Sequence, residues 1–127
     1  MIRFASLAAA ALMLGSAGAA SAQDAAAGEK LFRQCKACHV IDKEQNRVGP
    51  HLVGIFGREV GAVDGYKYSD AMMEWGAGKV WDDATLSEYL ENPRSVVKGT
   101  KMAYPGLKKG EDRDNMIAYL KEAGGGS

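Results

Sequence analysis

Apolar positions along this chain form one continuous run near its start and a series of short helical stripes after residue 24. Gly28, Leu31, Phe32 and Cys35 recur at i, i+3, i+4 and i+7, which predicts a helix with one small or apolar face, and Asp24 stands where its N-cap belongs. From Val40 to Gly65 the periodicity fades, and Gly49-Pro50, Gly54, Gly57, Gly61 and Gly65 punctuate a stretch that reads as one long wrapped loop. Ser69 is placed to cap a short helix through Trp75, closed by Gly76 and Gly78. Asp82 or Asp83 caps the next, which carries Leu86, Tyr89 and Leu90 on one face and stops at Asn92-Pro93. After a loop at residues 99–106, the last helix begins near Asp112, carries Met116, Ile117, Tyr119 and Leu120, and ends at Gly124, a residue suited to a left-handed cap. With no alternating strand pattern of useful length, the fold class is all-α, with about four to five short helices and long irregular connections. Such helices bury too little to support these loops, so a large apolar cofactor is the expected centre.

The first apolar run reads differently. Arg3 precedes the apolar stretch from Phe4 to Leu14, and Ala20-Ser21-Ala22 has the small-x-small form of a signal-peptidase site. Residues 1–22 are therefore expected to be a cleavable secretory signal peptide, residues 23–123 one domain, and residues 124–127 a flexible glycine-rich tail. Gly15, Ser16 and Gly18 interrupt the run before it reaches the roughly 20 apolar residues of a membrane span, which makes an uncleaved anchor the lesser alternative. Export to the periplasm follows from the cleaved reading.

Composition changes this picture little. The chain is 46% hydrophobic, which suits one compact core, and its sixteen basic and sixteen acidic residues cancel. A nucleic-acid partner is not expected from that balance. Losing Arg3 with the leader leaves the domain slightly acidic.

The candidate chemistry lies at Cys35-Lys36-Ala37-Cys38-His39, a C-x-x-C-H run that is the attachment signature of a covalent haem. Thiols three residues apart can reach two vinyl groups on one side of a porphyrin, and the next residue brings an imidazole beneath the iron. A zinc site would need ligands beyond His39 and His51. A reactive dithiol would need a strand–helix setting, and a local disulfide is the third alternative.

Together with that motif, Gly49-Pro50-His51-Leu52, Gly57-Arg58, Trp81, Tyr89-Leu90-Glu91-Asn92-Pro93, Gly99-Thr100-Lys101-Met102 and Ile117-Ala118-Tyr119-Leu120 occur in order along the chain. This series resembles the class I c-type cytochromes, in their mitochondrial and cytochrome c2 branch, and implies the cytochrome c fold around one haem c attached through Cys35 and Cys38. The iron would then be held by His39 and by a second ligand from elsewhere. Met116 reads as core filler on the last helix, Met72 and Met73 sit in a short helix, and His51 reads as an exposed loop histidine. Met102 stands in a loop and matches the family's ligand in Gly-Thr-Lys-Met. The resemblance also makes the Pro50 carbonyl the acceptor for the His39 ring, and Arg58, Tyr68 and Trp81 the groups around the haem propionates. Tyr89 would contact the axial methionine, with Thr100 beside its loop. For Trp81 and Tyr89, plain aromatic core is the competing reading. Gly28 and Phe32 would meet Tyr119 where the first and last helices cross. The segment from Asp70 to Trp81 is longer than in mitochondrial relatives, and Met72 replaces an asparagine found in many of them.

The resemblance implies a one-electron carrier, not an enzyme, that docks transiently as a monomer. Its donor would be a quinol:cytochrome c reductase, and its acceptor a terminal oxidase or photosynthetic reaction centre. Lys36, Lys43, Lys101, Lys108 and Lys109 flank the haem-binding segments and could steer such docking, or simply solvate the surface. The alternative function is a haem peroxidase or gas-reactive protein with a labile sixth position. A third alternative is a haem subunit fixed in a larger complex.

Overall fold

In the computed structural model, residues 24–125 are described; the expected signal peptide, its cleavage site and the last two residues lie outside them. Among the described residues the chain forms α1 (Ala25–Phe32), α2 (Asp70–Gly76), α3 (Asp83–Glu91), α4 (Pro93–Val96) and α5 (Gly110–Gly124). The only pairing of strand type among them is an isolated antiparallel bridge between Glu59 and Val80. No helix of this set is long and apolar enough to cross a membrane.

Local chemistry sets most helix starts. The Asp24 carboxylate accepts from the backbone N–H groups of Ala26 and Ala27, Ser69 Oγ from Met72, and Asp82 from Thr85. Each satisfies donors that the first helical turn leaves without partners, worth about 1 kcal/mol apiece. Asn92 ends α3 but does not end helical structure, because its side chain accepts from the Ser95 N–H and Pro93 takes the first position of α4.

The last helix departs from expectation at both ends. It starts at Gly110 with no side-chain cap, so no sequence signal marked the boundary. At its other end Gly124 is still helical and buried, and Gly125 takes the positive φ of 67°. Gly124 therefore does not begin the tail: its carbonyl accepts from Gly54 N–H at 2.7 Å, and an added Cβ would lie 2.8 Å from the Leu52 oxygen.

α1 and α5 make the principal helix crossing. Gly28 lets the backbones approach until a Cβ there would collide with the Asn115 carbonyl, while Phe32 and Tyr119 stack at 5.1 Å between ring centres. The buried Asn115 side chain accepts from the Asp24 N–H at 2.9 Å, which ties the start of α1 to the same crossing. α3 joins α5 through Arg113 to Ser87 and through the Lys121–Asp83 ion pair. The core formed by Phe32, Leu86, Tyr89, Met116, Ile117 and Leu120 holds these helices as one wall, and the long loops close over it.

Candidate functional site

The turn after α1 decides where the thiols go. Cys35 N–H donates to the Phe32 carbonyl and Cys38 N–H to the Cys35 carbonyl, both three residues back, so the chain tightens past the helix end. His39 N–H also donates to the Cys35 carbonyl at 2.9 Å, which sets the imidazole one turn beyond the first thiol. Cys35 and Cys38 are unpaired and half-buried. Burial, and secondarily the neighbouring Cys38, pushes the unattached Cys35 thiol up to about 11.

His39 is fixed by two neighbours in the 40–65 loop. Its Nδ1–H donates to the Pro50 carbonyl oxygen at 2.7 Å, leaving Nε2 as the ring's free lone pair. Gly49 is buried against the ring face, where a Cβ would stand 2.8 Å from Nδ1. Desolvation holds the His39 pKa below its usual range, opposed by the Pro50 bond and reinforced by Arg58, so the imidazole is neutral at pH 7.

A cavity of about 350 Å³ lies beside these groups and brings all the predicted site residues together. Cys35, Cys38, His39 and Pro50 line it from the N-terminal side, Arg58, Tyr68 and Trp81 from the middle of the chain, and Tyr89, Thr100 and Met102 from the C-terminal side. The loop carrying Met102 is stitched to the end of α3: Leu107 N–H donates to the Leu90 carbonyl at 2.7 Å, and Gly106 passes so close to the Glu91 carbonyl that only a glycine fits. Tyr89 Oη lies 2.8 Å from Thr100 Oγ1, which in turn accepts from the Met102 N–H at 3.4 Å. Desolvation raises the Tyr89 pKa, opposed by the Thr100 bond, and keeps the phenol neutral.

Sequence reasoning placed some residues imperfectly. Met116 is a core residue, as expected, and Met72 is buried in the core as well, but both also face the cavity. His51 is not an exposed loop histidine: it is half-buried, its Nδ1 is fully enclosed without a hydrogen-bond partner, and it lies outside this cavity. Trp81 and Tyr89 satisfy both of their readings, since they pack with Trp75 in an aromatic cluster and line the cavity too. Tyr66, Tyr104 and Val48 line it without having been singled out. The alternation of Tyr66 with Tyr68 was the one available signal for the first of these. All five candidate docking lysines are exposed, but only Lys101 reaches the cavity wall, and its Nζ is bonded to the Lys67 carbonyl at 2.7 Å.

These residues fit a haem on three counts. The wall is mostly apolar and supplies free thiols, a neutral imidazole and a thioether. Its charged members are Arg58 and Lys101, with no carboxylate among the described residues, which suits a group bearing two propionates. Arg58 Nε is buried without a partner, and its pKa is lowered by that desolvation, although Nη1 is engaged by the His51 and Val53 carbonyls. An orphaned guanidinium nitrogen at the cavity wall is costly unless an acceptor meets it. Among the described residues no three or more His, Cys, Asp or Glu side chains stand together as ligands for a metal ion.

Comparison with known proteins agrees with this geometry. Residues 25–124 match the family model described as cytochrome c. The chain is 49% identical over 98 residues to a cytochrome c of Gibberella zeae, covering 76% of this chain and 91% of that protein. It is 51% identical over 98 residues to a cytochrome c2 of Afifella marina, covering 76% and 79% respectively. Among solved structures, cytochrome cH from Methylobacterium extorquens superposes with a TM-score of 0.71 at 48% identity, over 78% of this chain and 98% of that one.

Proposed function

This chain belongs to the cytochrome c family, and from that we propose that it is an exported, periplasmic carrier passing single electrons between membrane redox complexes. Its haem c, one per chain and bound through Cys35 and Cys38, supplies an iron that gains and loses one electron. His39 Nε2 and the Met102 sulfur are the groups that would hold its iron. The observation carrying this reading is that His39 and Met102, delivered by the first turn and the penultimate loop, face one cavity with both thiols.

Each surrounding residue then has a physical task. Pro50 holds the imidazole tautomer with Nε2 free, and the bond to its carbonyl makes the ring a stronger electron donor. As a soft ligand, the Met102 thioether would favour the ferrous state and would leave oxygen or peroxide no place at the iron. Burial disfavours the additional positive charge of the ferric state in the same direction. Arg58 Nε, with Tyr68 and Trp81 on the same wall, offsets the propionate charge, while Tyr89 and Thr100 brace the Met102 loop.

The donor in this reading is a quinol:cytochrome c reductase, and the acceptor is a terminal oxidase or photosynthetic reaction centre. Lys36, Lys43, Lys101, Lys108 and Lys109 steer the encounter, so association slows as salt rises. The test is the optical spectrum of the exported protein and of Met102→Ala. A low-spin spectrum with a weak far-red sulfur-to-ferric-iron band that disappears in the variant supports the carrier. A native high-spin spectrum, or tight carbon monoxide binding without unfolding, overturns it in favour of a peroxidase or gas-reactive protein.

A further inference from the structure

Met102 is anchored differently on its two sides. Before it, the Thr100 N–H donates to the Val97 carbonyl at 3.0 Å, the Thr100 hydroxyl meets Tyr89, and Lys101 Nζ reaches the Lys67 carbonyl. After it, the backbone is next bonded at Leu107, whose N–H donates to the Leu90 carbonyl. Between Met102 and that point, the Ala103 carbonyl accepts from Arg94 Nη2 at 3.2 Å. The residue directly following Met102 is thus tied to α4 by a single side chain.

Arg94 stands on a fixed base. Pro93, the first residue of α4, is fully buried, and Val97, which follows the helix, is 2% exposed. Asn92 caps the same turn by accepting from the Ser95 N–H. Core packing therefore holds the backbone beneath Arg94, and only its side chain crosses the surface to Ala103. A guanidinium suits that span, because its donors point in set directions and its charge persists throughout the pH range of a folded protein. A charged donor also holds a carbonyl more firmly than a neutral one, although exposure keeps the net worth of this bond near that of an ordinary hydrogen bond.

Resting on the reading of Met102 as an iron ligand, we propose that Arg94 is a positioning residue for that ligand: its bond to the Ala103 carbonyl keeps the Met102 sulfur turned into the haem cavity. Arg94 does not itself line the cavity, so it acts through the loop alone. Without the bond, the segment from Ala103 to Gly106 has one restraint fewer against swinging outward with Met102. The fraction of molecules in which the sulfur has left the iron then rises, and a small ligand from solvent gains access.

The experiment titrates the ferric holoprotein with imidazole and follows loss of the far-red sulfur-to-iron band, for the native chain, Arg94→Ala and Lys98→Ala. An outside ligand binds with an apparent affinity set by the fraction of molecules open to it. Arg94 is exposed, so its truncation leaves the core intact. Arg94→Ala is expected to bind imidazole about two- to tenfold more tightly than the native protein, the range for loss of one net hydrogen bond. Lys98→Ala, which removes an exposed cation from the same segment, is expected to bind as the native protein does. Equal imidazole affinity in the native chain and Arg94→Ala overturns the inference. An equal gain in Lys98→Ala overturns it as well, because the effect would then be one of charge and not of the bond to Ala103. A native holoprotein that never shows the band overturns Met102 as ligand, which is a distinguishable result.

Discussion

The His39 Nδ1–H donates to the Pro50 carbonyl oxygen at 2.7 Å, and this one bond sets both the tautomer and the direction of the ring that faces the cavity. Burial works with it, because the neutral imidazole is the form that the folded chain prefers. A His39 pKa lowered from 6.5 means that the unfolded chain takes up the proton first. Stability contributed by the neutral ring is thus complete above pH 6.5 and is lost as pH falls through the lower, folded value. Denaturant midpoints of the haem-free chain, where no iron holds Nε2, should decline below that pH, and a flat profile down to strong acid would contradict the lowered pKa.

Gly49 supports the same ring sterically. Gly49→Ala would place a methyl group 2.8 Å from His39 Nδ1, within a buried site. Overpacking of this kind costs about 1–3 kcal/mol. We expect a lowered denaturant midpoint together with a perturbed axial-ligand spectrum; an unchanged spectrum would show that the ring can yield.

Tyr89→Phe removes the hydrogen bond to Thr100 while keeping the aromatic packing with Trp75 and Trp81. The expected loss is about 0.5–1.5 kcal/mol. Since Thr100 Oγ1 also accepts the Met102 N–H, amide exchange at Met102 should quicken in the variant. Unaltered exchange would mean that the loop holds Met102 by its stitching to α3 alone.

At the helix crossing, Gly28→Ala carries a gain of up to about 1 kcal/mol in helix propensity. Steric conflict wins, because the obstacle is the Asn115 backbone carbonyl, which can move only if α1 and α5 separate. A net destabilisation of about 1–3 kcal/mol is expected in thermal or chemical unfolding. A neutral or stabilising result would show that the crossing is looser than the structure has it.

Sequence patterns located α1, α2 and α3 closely because Asp24, Ser69 and Asp82 are capping residues acting within one turn of themselves. The start of α5 was less legible, since its N-cap residue Lys109 makes no side-chain cap bond, and α4 was hidden because Pro93 can end one helix and begin another. The C-x-x-C-H run was equally local: its spacing is its chemistry, and Cys35, Cys38 and His39 lie where one turn of chain puts them. By itself, then, the sequence determined helical class and the attachment motif, and through resemblance it proposed Met102 as the distant complement. Tertiary structure decided what local spacing cannot encode. It put Met72 and Met116 on the cavity wall, turned His51 away from solvent, and buried Arg58 Nε at that wall without a partner. These outcomes depend on which loops pack across α1, α3 and α5, and that is set by burial and by hydrogen bonds between residues far apart in the chain.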